Sequence, residues 1–145
     1  GAETMAKKIL TALKQSSASL KDYINDTKLT AVSYMTRADF TYMVVDALGC
    51  EINNGNSFAD VSKGKYYQGA IATAKNLGLV TAVEGNNFHP EEPVTADFLK
   101  SVIDKALKYK KSNADFKDIY ALAKGKVSNE IGIYAIDKLN EEINK

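Results

Sequence analysis

Eighteen of the 19 basic side chains in this sequence are lysines, and the single arginine, Arg37, is therefore the first residue to ask about. A guanidinium holds a carboxylate through two parallel hydrogen bonds, which an ammonium cannot do. It lies in Thr36-Arg37-Ala38-Asp39, where Thr36 fits a helix N-cap and Asp39, three positions on, fits a variant of the capping box. A cation in the first turn opposes the helix dipole by about 0.3–1 kcal/mol, so capping does not explain Arg37. Ligand binding, or a salt bridge to Asp60 or Asp118, is the alternative to an indifferent surface position. Asp60 and Asp118 equally suit N-caps of the turns that follow them.

Other reactive types are sparse. Tyr66 and Tyr67 are adjacent, so on a helix they point about 100° apart, one toward a core and one partly exposed. His89 is the only histidine and Cys50 the only cysteine, which argues against a metal site and excludes an internal disulfide. Cys50 follows Gly49 at a helix end, a poor place for a thiolate. No nucleophile elbow, phosphate loop, dinucleotide fingerprint or paired carboxylates occur, so neither an enzyme nor a cofactor is expected.

The elements that must position these groups are helical. Residues 4–16 place Met5, Ile9, Leu10 and Leu13 at helical spacing, and a less regular stretch follows. Phe40, Met43, Val44, Ala47 and Leu48 form a second stripe closed by Gly49. Tyr67, Ala70, Ile71, Ala74 and Leu77 form a third, and Leu99, Val102, Ile103, Ala106 and Leu107 a fourth. Phe116 opens the last segment, whose single helix carries Ile131, Tyr134, Ala135, Ile136 and Leu139. Strand signals are confined to Leu79–Val83. Leu13, Phe40, Val44, Ile71, Leu77, Ile103, Leu107 and Ile136 are expected in one shared core.

An internal repeat organises the chain. Arg37–Leu48 aligns without gaps on Ala96–Leu107, 59 residues later, and Phe58-Ala59-Asp60 precedes Phe116-Lys117-Asp118 by 58. This alignment sets Ala96 under Arg37 and Phe98 under Asp39, with Phe98 facing apolar neighbours and Asp97 facing solvent.

With 145 residues, a net charge of +1 and 45% hydrophobic side chains, the chain suits one compact module. That charge gives no field for nucleic acid, and no apolar run approaches the roughly 20 residues of a membrane span. No secretory signal pattern is present, and Gly1 as first residue reads as a trimmed or processed chain.

Phe58-Ala59-Asp60, Leu77-Gly78-Leu79-Val80, Gly85-Asn86-Asn87-Phe88-His89-Pro90 and Met35-Thr36-Arg37-Ala38-Asp39-Phe40 together resemble the motif series of the S-layer homology family. The resemblance implies a mostly α fold: three helical repeats in a pseudo-threefold arrangement around a shared helical core, joined by short irregular or extended connections. Residues 1–145 then form one module, with repeat 1 at about 4–57, repeat 2 at about 58–114 and a partial repeat 3, one helix long, at about 115–145.

The resemblance further implies a non-catalytic anchor at the surface of a Gram-positive-type bacterium. Its partner is cell-wall polysaccharide, often pyruvylated, and other domains of a larger surface protein are possible neighbours. By motif, Arg37, Asp39, Asp60, Asp118 and either Tyr66 or Tyr67 line the grooves. The family's glycine-tyrosine pair falls near Thr81-Ala82 and is lost, so at most one groove keeps its arginine. The competing reading is a structural or protein-interaction domain that has lost glycan binding.

Overall fold

The computed structural model describes residues 34–145. The helix expected over 4–16 and Leu13 lie outside them. Five helices follow in order: α1 (Arg37–Leu48), α2 (Gln68–Asn76), α3 (Ala96–Tyr109), α4 (Lys117–Leu122) and α5 (Asn129–Ile143). Among the described residues the fold is all helix and connection; Leu79–Val83 forms no strand, and extended pairing is limited to isolated bridges.

Each long helix starts from the same local chemistry. Thr36, Thr95 and Ser128 are extended N-caps whose hydroxyls accept from the amides of Asp39, Phe98 and Ile131. Arg37, Ala96 and Asn129 therefore share the first helical position, as the ungapped alignment requires for the first two. The residue before each cap is apolar and buried: Met35, Val94 and Val127. Their backbones close a cycle, in which the Val94 amide donates to Met35 O at 2.9 Å, Val127 to Val94 O at 2.8 Å and Met35 to Val127 O at 3.2 Å. Three helix starts are thus fastened to one point.

The helices bury different amounts of themselves. In α1 the Phe40, Met43, Val44 and Leu48 stripe is buried, and so are Ala38, Thr41 and Val45, because α2, α3 and α5 all pack on this helix. In α3 burial is restricted to Leu99, Val102, Ile103, Ala106 and Leu107, one face of an amphipathic helix. In α5, Ile133, Ala135, Ile136 and Leu139 are buried, while Ile131 and Tyr134 are only partly covered.

Two expectations are corrected. Leu77 is 36% exposed. The α2 helix ends at Asn76, and Gly78 turns the chain at φ +77°, so Leu79 and Val80 enter the core while Leu77 is left on the solvent side. The last segment is two helices, not one: α4 and the Ser128-capped α5 follow Phe116 as α2 and the Thr95-capped α3 follow Phe58. The link from α4 to Ser128 is only 123–127, against 77–94 between α2 and Thr95. A short link with a single glycine, Gly125, left no break visible in the hydrophobic pattern.

The contrast between Leu99, fully buried, and Leu77 gives a direct check. Leu99→Ala should cost about 2–5 kcal/mol in chemical denaturation. Leu77→Ala should stay within about 0.5–1 kcal/mol; equal losses at the two positions would contradict this end of α2.

Candidate functional site

The site forms where the first turn of α1 meets the turn before Pro90 and the first turn of α3. All leading amides of α1 are used by the protein: Arg37 N donates to Glu92 O, Ala38 N to Pro90 O and Asp39 N to the Thr36 hydroxyl. The helix end therefore offers no amides to an anion, and any anion recognition falls to side chains.

Arg37 makes no ion pair with Asp60, Asp118 or any other carboxylate among the described residues. Its Nε donates to Phe88 O at 2.9 Å, and its guanidinium carbon lies 3.9 Å from the ring centre of Phe98 and 4.7 Å from that of Phe88. Those rings meet edge to face at 5.9 Å. The cation is held in an aromatic slot, worth about 0.5–2 kcal/mol, which offsets the helix-dipole cost of its position. Burial lowers the Arg37 pKa, against the opposing fields of Glu92 and Asp60, yet a guanidinium stays charged throughout.

Asp60 caps no following turn. Its carboxylate oxygens accept from the amides of Phe88 and His89, each at 2.8 Å, and so fasten the turn that carries the Phe88 ring and carbonyl. Partial burial raises its pKa, but these amide bonds outweigh that and leave it below the ordinary carboxylate value. His89 needs such a latch, since its φ of +58° is unusual for a residue with a Cβ. A second clamp is its ring: Nε2 lies 3.0 Å from Glu84 and Nδ1 2.5 Å from Glu92. Both nitrogens face carboxylates, so the imidazolium is the form that satisfies them. The hydrogen bond to Glu84 and the charge of Glu92 raise the His89 pKa.

Asp118 is not brought to this site. It sits in the first turn of α4, and it lines a separate cavity of about 310 Å³ with Phe116, Tyr134 and Lys138. The amide of Lys117 bonds instead to the Asp115 side chain. The link 123–127 has no counterpart of the Phe88–His89 turn, so Asp118 has nothing to latch.

The tyrosine pair divides as expected. Tyr67 is 3% exposed and donates to Glu91 at 2.5 Å, whereas Tyr66 is 57% exposed and its hydroxyl donates to Asp39. Burial, reinforced by these carboxylates, raises both phenol pKa values and keeps both as donors. Asp39 thus serves as acceptor for Tyr66; the return bond of a capping box, from its side chain to Thr36, is not formed. The Tyr66 ring meets the rings of Tyr67 at 5.0 Å and Tyr42 at 5.7 Å, both edge to face.

Sequence reasoning missed Phe88 and Phe98 as the walls around Arg37 and Glu91 as the partner of Tyr67. An aromatic at the third helical position of α3, where α1 carries Asp39, was the available signal for Phe98. Asp97 is exposed as expected, and Phe98 does pack against Phe40, at 6.3 Å.

These features define a helical module with a cation seated in an aromatic slot. Among the described residues no helix is long and apolar enough to cross a membrane. Residues 57–95 match the model of the S-layer homology domain. Such domains are non-catalytic anchoring modules of cell-surface proteins and bind the cell wall. No curated protein matches the chain.

Two tests follow from the turn. Asp60→Ala strips two amides of a charged acceptor and should cost about 1–3 kcal/mol, while Asp118→Ala should stay within about 0.5 kcal/mol, by denaturation. The raised His89 pKa stabilises the fold fully below its ordinary value of 6.5, and that contribution is lost as pH rises through the folded value. The melting temperature should therefore fall across this window, and His89→Gln should flatten that step; an unchanged step would assign it to another group.

Proposed function

We propose that this chain anchors a larger surface protein by binding anionic, pyruvyl-substituted cell-wall polysaccharide through one groove. The observation that carries this reading is Arg37. Its Nε is fixed on Phe88 O and its guanidinium lies against the Phe88 and Phe98 rings, in the corner they make edge to face, while no carboxylate among the described residues pairs with it. A planar cation so oriented presents its remaining N–H edge to a ligand carboxylate. Asp39 and Glu91 hold Tyr66 and Tyr67 beside it, with Tyr66 exposed for stacking on a sugar ring. Asp60 positions the turn, and Asp118 takes no part.

The module is read as three repeats about a pseudo-threefold axis. The closed cycle of Met35, Val94 and Val127 and the three hydroxyl caps support that reading. At the positions equivalent to Arg37 stand Ala96 and Asn129, so one groove alone carries the cation. The chain is not an enzyme on this reading.

Calorimetric titration with purified wall polysaccharide, with and without its pyruvyl groups, tests it. A charged contact is worth about 1.5–3 kcal/mol, so Arg37→Ala should weaken binding by about ten- to a hundredfold. Arg37→Lys should fall between, keeping charge without the fork. The fold should survive Arg37→Ala with a melting temperature lower by a few degrees, as expected for losing about 1 kcal/mol. Binding unchanged in Arg37→Ala, or absent from the wild type, would favour a structural or protein-interaction domain.

A further inference from the structure

A cavity of about 470 Å³ opens on the other side of Tyr66, between α1, the loop after it and the start of α2. Its volume is that of a small-ligand site. Its walls include the rings of Tyr42 and Tyr66, the amide side chain of Asn54, and Lys63 and Lys65. Both lysines are exposed, and neither forms an ion pair among the described residues. Asp46 is the one carboxylate in the lining, so cations outnumber anions there.

Tyr66 joins this cavity to the Arg37 groove. Its hydroxyl is tied to Asp39 in the first turn of α1, while its ring walls a cavity that extends along α1 to Gly49. At 1.5 Å per helical residue, Arg37 and the wall from Tyr42 to Gly49 are separated by about 8–18 Å along the axis, more than one sugar ring covers.

We propose that this cavity is a second glycan subsite. It takes a neighbouring sugar of the same polysaccharide chain, bearing an anionic substituent that Lys63 and Lys65 meet, with Tyr66 as the partition on which the chain rests. The inference rests on the reading that Arg37 binds wall polysaccharide, and goes beyond it in extending the footprint.

Cys50 lines the cavity and is the only cysteine of the chain, so its alkylation reports on occupancy. Iodoacetamide labelling would be timed with and without saturating wall polysaccharide, beside calorimetry of the wild type, Arg37→Ala and the double variant Lys63→Ala/Lys65→Ala. Polysaccharide should slow labelling at least fivefold. The double variant should bind about three- to tenfold more weakly, with a shallower dependence on salt, and keep its melting temperature. If polysaccharide binds the wild type but labelling and the double variant's affinity are unchanged, the second subsite is overturned and the Arg37 groove stands. Loss of binding in the double variant with none in Arg37→Ala would overturn the Arg37 groove and keep this subsite. No binding to the wild type would overturn both.

Discussion

The backbone cycle through Met35, Val94 and Val127 is the constraint from which the rest of the architecture follows. These three peptides are buried, and a buried amide or carbonyl without a partner costs about as much as a lost hydrogen bond. Each satisfies the next, so no one segment can shift without opening a bond in the other two. Because a hydroxyl cap follows each directly, the cycle also fixes where α1, α3 and α5 begin. The side chains at their first and third positions are therefore placed by the backbone before any side-chain packing is considered.

That placement explains how a cation comes to rest in an unfavourable spot. Arg37 occupies the first turn of α1, and the cycle sets the first turn of α3 beside it, so that Phe98 lies under the guanidinium. The turn latched by Asp60 brings the second ring and the carbonyl of Phe88. The leading amides of α1 are spent on Glu92, Pro90 and Thr36, which removes the competing anion site that a bare helix end would offer. On the proposed reading, recognition then falls to the Arg37 guanidinium and the exposed ring of Tyr66.

Features carried by neighbouring residues were legible in the sequence. Thr36 and Gly49 bracket α1 as their types require, and the Arg37–Leu48 repeat in Ala96–Leu107 keeps its register in the structure. Features that depend on contacts across the chain were not. Nothing local shows that Asp60 would fasten amides 28 and 29 residues away, or that Tyr66 would reach Asp39. The Phe-x-Asp match misled for the same reason. Phe58-Ala59-Asp60 lies in a turn well before α2, whereas Phe116 directly precedes α4, and identical letters serve different geometry. Leu77 fitted the helical stripe, but the stripe ran one residue past the helix.

The short link 123–127 also bears on where an arginine can be held. A stacked cation needs a ring from the following turn, a ring from the following helix and a carbonyl to fix its orientation. Arg37 finds all three in Phe88 and Phe98. Ala96 faces the short link 123–127; its amide bonds to Gly125 O, and α5 presents Ile131 where α3 presents Phe98. A guanidinium there would have neither ring to lie on. Lysine also meets single rings, as Lys75 does over Phe58 at 5.0 Å, but a planar guanidinium can rest on two rings and still donate to a carbonyl. Among the described residues, the single arginine thus stands where two rings and a carbonyl converge to receive it.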